Sequence, residues 1–80
     1  MHLKIHLINN TIFDGEARRI TLNTPMGEIS ILDNHEPMIT LVEYGNIYVE
    51  TNEGEKLFSF PGGVLEVISH SEVVLLSKHI

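Results

Sequence analysis

The chain contains no cysteine, only five Lys and Arg, few aromatics and no long hydrophobic run. Without cysteine there is no disulfide frame, no thiolate nucleophile and no cysteine-type zinc site. Five cations against eleven Asp and Glu give a formal charge of −6, and aromatics make up 6% of the chain. That balance repels phosphate backbones and leaves no stacking platform, so nucleic acid is excluded as a partner. No apolar stretch approaches the roughly 20 residues of a membrane-spanning helix. The start, "MHLKIHL", lacks the form of a signal peptide, so a soluble domain without direct membrane insertion is expected. Eighty residues make one domain, 1–80. A chain of this size buries only about 60% of its unfolded surface, which leaves a thin core and no room for an elaborate active-site pocket.

Long uninterrupted segments are also scarce. Gly and Pro fall at 15, 25, 27, 37, 45, 54, 61, 62 and 63, and most pieces between them are too short for a stable helix. What they carry is period-two alternation: Leu3, Ile5 and Leu7 around Lys4 and His6, Ile20 and Leu22 around Thr21, Ile47 and Val49 around Tyr48. The segment 64–80 lacks Gly and Pro, yet its β-branched residues and the central "SHSE" predict two strands rather than a helix. Its "VVLL" does not alternate, as expected of a strand covered on both faces. Turns are predicted at "FDGE" (Asp14-Gly15), at "TPMGE" with Pro25 and Gly27 in type I positions, at "TNEGEK" and at "FPGG". Strands are expected over 2–8, 17–23, 28–32, 39–44, 46–51, 56–60, 63–69 and 72–78. The fold class is all-β, a small β-sandwich or flattened barrel of about eight to ten short strands.

The densest chemistry lies in "EISILDNHEP", Glu28 to Pro37. Asp33, His35 and Glu36 could ligate a divalent ion with His6 or His70, but successive side chains of an extended segment point apart and no His-x-His spacing is present. No metal site is expected. The plainer reading is a corner, with Asp33 and Asn34 folding back on backbone amides and Glu36 extended before Pro37. No serine lies in a nucleophile-elbow pattern, so no catalytic residue is expected. Gly62-Gly63 has neither the following helix nor the lysine of a phosphate loop, so no cofactor is expected either. His2, His6, His70 and His79 read as polar surface.

Three stretches in order resemble one family, the epsilon subunit of rotary ATP synthases. "GEISILDNHEPMIT" resembles its glycine-glutamate strand and asparagine-histidine-x-proline corner, "FDGEARRITLNTPMGE" its second hairpin and "FPGGVLEV" its penultimate strand. The resemblance runs from about Leu3 to Leu76. Pro61 stands where a serine commonly precedes the glycines, Asp33 where proline is usual and Glu36 where a small residue is common.

The resemblance implies a non-catalytic β-sandwich of the central stalk that clamps the gamma subunit and rests on the polar loops of the c-ring. It implies a peripheral position on the cytoplasmic face of the membrane, within the synthase. Glu28, Asn34 and His35 map onto the c-ring-facing end, and Pro37, Met38 and Ile39 onto the gamma contact. Met38 and Ile39 fit equally well as the start of a core strand. The family's carboxy-terminal helical hairpin has no counterpart in this sequence, so neither ATP binding nor restraint of hydrolysis by that lever is expected. The alternative reading is a free-standing small β-barrel holding a small ligand or metal, although its inward positions are Leu, Ile and Val; a generic edge-strand adaptor is a third.

Overall fold

The computed structural model describes residues 1–78; His79, read as polar surface, lies outside the described residues. Nine strands form: β1 (His2–His6), β2 (Thr11–Glu16), β3 (Arg19–Thr24), β4 (Gly27–Leu32), β5 (Met38–Val42), β6 (Gly45–Thr51), β7 (Gly54–Phe60), β8 (Gly63–Ser69) and β9 (Glu72–Ser77). They make a five-stranded sheet in the order β2-β1-β9-β8-β5 and a four-stranded sheet in the order β4-β3-β6-β7. All ladders are antiparallel except β1 with β9, which run parallel at the centre of the larger sheet. Leu3, Ile5, Leu65 and Leu75 from that sheet meet Ile20, Leu22, Ile31, Ile47, Val49 and Phe60 from the other, all almost fully buried. Alternation placed each of them there, because a period of two sends one set of side chains between the sheets and the other outward.

One expectation fails at the second hairpin. "FDGE" is not a turn: Asp14 and Gly15 pair with Lys4 and Leu3 in the middle of β2. The chain reverses earlier, where the Leu7 amide donates to the Asn10 carbonyl at 2.8 Å. Asp-Gly is a strong local turn signal, but Thr11-Ile12-Phe13 is β-rich and its burial against β1 overrides it. Expected strands 2–8 and 17–23 therefore become β1, β2 and β3, giving nine strands instead of eight.

The turns at Pro25-Met26 and Asn52-Glu53 form at the predicted places, whereas "FPGG" shows neither turn nor bend and serves as the link from β7 to β8 in the other sheet. Gly27 and Gly54 take φ of +114° and +113° after Pro25-Met26 and Asn52-Glu53. Each turn is braced alike. Thr24 Oγ1 donates to the Gly27 carbonyl at 2.8 Å and accepts the Met26 amide at 3.1 Å; Thr51 Oγ1 makes the same bonds to Gly54 and Glu53 at 2.9 and 3.1 Å.

"VVLL" also departs from expectation. β9 is central, and Val73 and Leu75 are buried, but Val74 is half-buried and Leu76 is exposed on the outer side. The strand is covered on one face only.

Candidate functional site

The corner after β4 is held by backbone and by ring nitrogens. Asn34 adopts φ 65°, in the left-handed region that asparagine tolerates. Its amide donates to the His70 carbonyl at 2.9 Å, and His70 Nδ1 lies 3.2 Å from the Asn34 carbonyl, so the corner is tied to the β8–β9 turn by two bonds. His35 Nδ1 donates to the Glu36 carbonyl at 2.6 Å. Asp33 turns elsewhere: its carboxylate takes the Met1 ammonium, which also donates to the Ala17 carbonyl at 2.9 Å. The acidic departure at Asp33 thus closes the corner onto the start of β1. Among the described residues, no group of three or more His, Asp or Glu is placed to hold a metal ion.

Glu28 does not lie beside His35. It sits exposed at the start of β4, opposite Asn23, whereas Leu32 ends the strand opposite Arg19 and His35 follows beyond it. Four residues of extended strand already span about 14 Å. The shared end implied for Glu28 and His35 is replaced by the two ends of one strand. Glu28 stands on β4, the outer strand of the four-stranded sheet, and Asn34 and His35 follow the far end of that strand.

Pro37, Met38 and Ile39 separate as well. Pro37 is exposed, Met38 packs against the core, and Ile39, 70% accessible, points outward on β5. The register shows what surrounds Ile39: Leu41 pairs with Val64, Val64 with Leu76, Ile39 with Glu66 and Glu66 with Val74. Ile39, Leu41, Val64, Ile68, Val74 and Leu76 therefore make an apolar half-face on β5, β8 and β9, with Glu66 within it and Glu72 at its border with β1. The remaining outer face of the same sheet is polar, carrying His2, Lys4 and His6 on β1 and Asp14 and Glu16 on β2. Sequence reasoning named Ile39 and missed Leu41, Val64, Ile68, Val74 and Leu76, although the unbroken "VVLL" was their signal.

On the polar half, His2 Nε2 lies 2.6 Å from Asp14 Oδ1 and Nδ1 lies 3.2 Å from Glu16 Oε2. The hydrogen bond with Asp14, and after it that with Glu16, raises the His2 pKa above its ordinary 6.5. On the outside of the smaller sheet Arg19 donates to Glu50 at 2.8 Å and Thr21 bonds Ser30 at 2.8 Å, beside the exposed apolar side chains of Leu32 and of the cross-strand pair Tyr48 and Leu57.

The family model described as ATP synthase, delta/epsilon chain, beta-sandwich domain matches residues 1–80. The chain belongs to this family. The ATP synthase epsilon chains of Verminephrobacter eiseniae and Delftia acidovorans are each 36% identical to it over 76 residues, covering 94% of this chain and 55% of theirs. The chain thus spans about half the length of the curated relatives it matches. Two solved structures share the fold of this delta/epsilon sandwich. The Euglena gracilis mitochondrial ATP synthase (OSCP, F1 and c-ring, rotational state 1) superposes with TM-score 0.88 at 24% identity, over 96% of this chain and 49% of that one. The Tetrahymena thermophila mitochondrial central stalk and c-ring gives TM-score 0.80 at 13% identity, over 98% and 63%.

Proposed function

We propose that the chain is a non-catalytic rotor element of an ion-translocating ATP synthase, seated on the gamma shaft and bordering the c-ring at the membrane surface. The observation that carries this reading is the apolar half-face of β5, β8 and β9 on a delta/epsilon-family sandwich. Contiguous exposed apolar surface of this kind marks a protein interface, and a buried core of aliphatic side chains within a polar rim is the composition such interfaces have. Gamma is its occupant in this reading, contacting Pro37, Ile39, Leu41 and Leu76. Met38 supports the patch from beneath. The c-ring loops border the β4 edge, where Glu28 stands at one end and Asn34 and His35 at the other. No chemistry is asked of the chain, and the half-face offers the lone Glu66 carboxylate rather than several convergent polar groups to orient a small substrate, which also disfavours a ligand-binding barrel.

The test is reconstitution with the cognate gamma subunit and with the catalytic complex depleted of its own epsilon chain. The chain is expected to co-purify with gamma in a one-to-one ratio. Leu41→Asp combined with Leu76→Asp should abolish that association while leaving the far-ultraviolet circular dichroism unchanged. Failure of the unmodified chain to bind gamma, or undiminished binding by the folded double variant, would overturn the assignment. Glu28→Gln and His35→Ala should retain gamma but weaken attachment of the complex to c-ring membranes.

A further inference from the structure

Both nitrogens of the His2 ring face carboxylate oxygens, Nε2 toward Asp14 at 2.6 Å and Nδ1 toward Glu16 at 3.2 Å. A neutral imidazole has one N–H and can donate only one of these bonds, leaving its other lone pair against an anion; an imidazolium donates both. The geometry selects the protonated ring. Neighbouring elements bring charge of both signs, the carboxylates favouring the imidazolium and the Met1 ammonium and Lys4 opposing it. On β1 the Met1 ammonium precedes His2 and Lys4 follows on its face. On β2 stand Asp14 and Glu16, on β9 Glu72 lies directly across from His2, and Asp33 of the β4–β5 corner engages the Met1 ammonium. Removing the His2 proton would leave Asp14, Glu16 and Glu72 together with one counter-charge fewer.

Among the described residues β2 is the outer strand of its sheet and pairs with β1 alone; besides the His2 bridge it is held by that ladder, irregular between Ile5 and His6, by the His6–Thr11 bond and by Ile12 and Phe13 at the margin of the core. We propose that His2 is a proton-operated latch on edge strand β2, closed by the imidazolium and loosened when the ring loses its proton. The mechanism is independent of the partner assignment. Because folding raises the affinity of His2 for its proton, the latch contributes fully below the unfolded value of about 6.5 and is lost as pH climbs through the higher folded value. His2, Asp14 and Glu16 are 40%, 54% and 72% exposed as side chains. Solvent and salt therefore screen the bridge, and its effect on opening of the strand is about two- to fivefold.

The experiment follows the His2 ring resonances and the exchange protection of the β2 amides by NMR from pH 5 to 9, with β8 amides as internal reference. The expected result is a His2 midpoint above 6.5 and a two- to fivefold loss of relative β2 protection at that same midpoint. His2→Gln should remove the step, Asp14→Asn should lower the midpoint, and high salt should shrink both effects. A midpoint at or below 6.5, β2 protection that does not change through the titration, or a step that persists in His2→Gln would overturn the proposal.

Discussion

Gly63 lies so close to the Leu76 carbonyl that a methyl group on its Cα would stand 2.0 Å from that oxygen, and 2.9 Å from the Lys78 amide nitrogen. Both obstacles are backbone, so no side-chain rotation relieves them. Gly63→Ala must therefore push β9 away from β8, at the place where the Lys78 amide donates to the Gly62 carbonyl at 2.8 Å. The expected loss of unfolding free energy is about 1–3 kcal/mol, the usual range for overpacking, with preferential loss of protection at the β8–β9 ladder. Chemical denaturation with matched m-values measures it; a variant as stable as the parent would contradict the geometry.

The paired Thr-x-x-Gly turns give a second expectation. Thr51 is 8% exposed, and its hydroxyl serves the Gly54 carbonyl and the Glu53 amide at once. Thr51→Val keeps the shape and leaves both groups without that partner, at about 1–2 kcal/mol. Gly54→Ala has open space around the new methyl group but must hold a φ of +113°, so it too destabilises, by about 1 kcal/mol. Thr24→Val should repeat the effect at the β3–β4 turn. Thermal melts of these variants compared with Thr40→Val, half-buried on β5 with its hydroxyl only on the neighbouring Leu41 carbonyl at 3.3 Å, separate the turn hydroxyls from threonine in general.

Most of this architecture was legible because a half-buried strand writes its two faces into alternate residues, and because Pro25, Gly27, Gly54 and Gly62 sit where the backbone requires them. The Asp14-Gly15 pair misled for the opposite reason: a local turn preference lost to the pairing of Leu3 with Gly15, which only the folded sheet supplies. The corner at Asn34 was readable as a corner, but its ties to His70 and Met1 join residues far apart in the chain. His35 stands between Asp33 and Glu36 in the sequence. The carboxylate-bridged histidine is His2, since cross-strand pairing brings Asp14 and Glu16 to it and turns Asp33 toward Met1. Of the apolar half-face, the sequence offered only a strand without alternation, and whether such a strand is buried on both sides or exposed on one depends on what packs over it.

Phe13 and Phe58 close the sandwich along its β2–β7 border. Their ring centroids are 5.7 Å apart at 62°, an edge-to-face pair joining the outer strands of the two sheets. Each is half-buried, so area alone understates the contact. In a double-mutant cycle of Phe13→Leu and Phe58→Leu, the expected coupling is about 0.5–1.5 kcal/mol, the range for such aromatic pairs. Additive single effects would mean that the two rings act only as separate apolar covers.

Met38 and Ile39 are neighbours with opposite tasks. Met38 packs against the buried cluster beneath β5, while Ile39 is 70% exposed on the apolar half-face. Truncating the first should damage the fold, and truncating the second should spare it. Met38→Ala is expected to lower stability by about 1–2 kcal/mol, less than the 2–5 kcal/mol of a fully buried methionine because the site is partly open. Ile39→Gln should stay within about 0.5 kcal/mol of the parent, as exposed substitutions do. If the half-face receives gamma, the order reverses for association. Ile39→Gln loses apolar contact at the centre of the patch and weakens binding by about tenfold, whereas folded Met38→Ala binds nearly as well as the parent. Measuring unfolding and gamma affinity on the same two variants resolves the roles: a stability loss confined to Ile39→Gln would reverse the facing of β5, and equal affinities for both would move the gamma contact off this face.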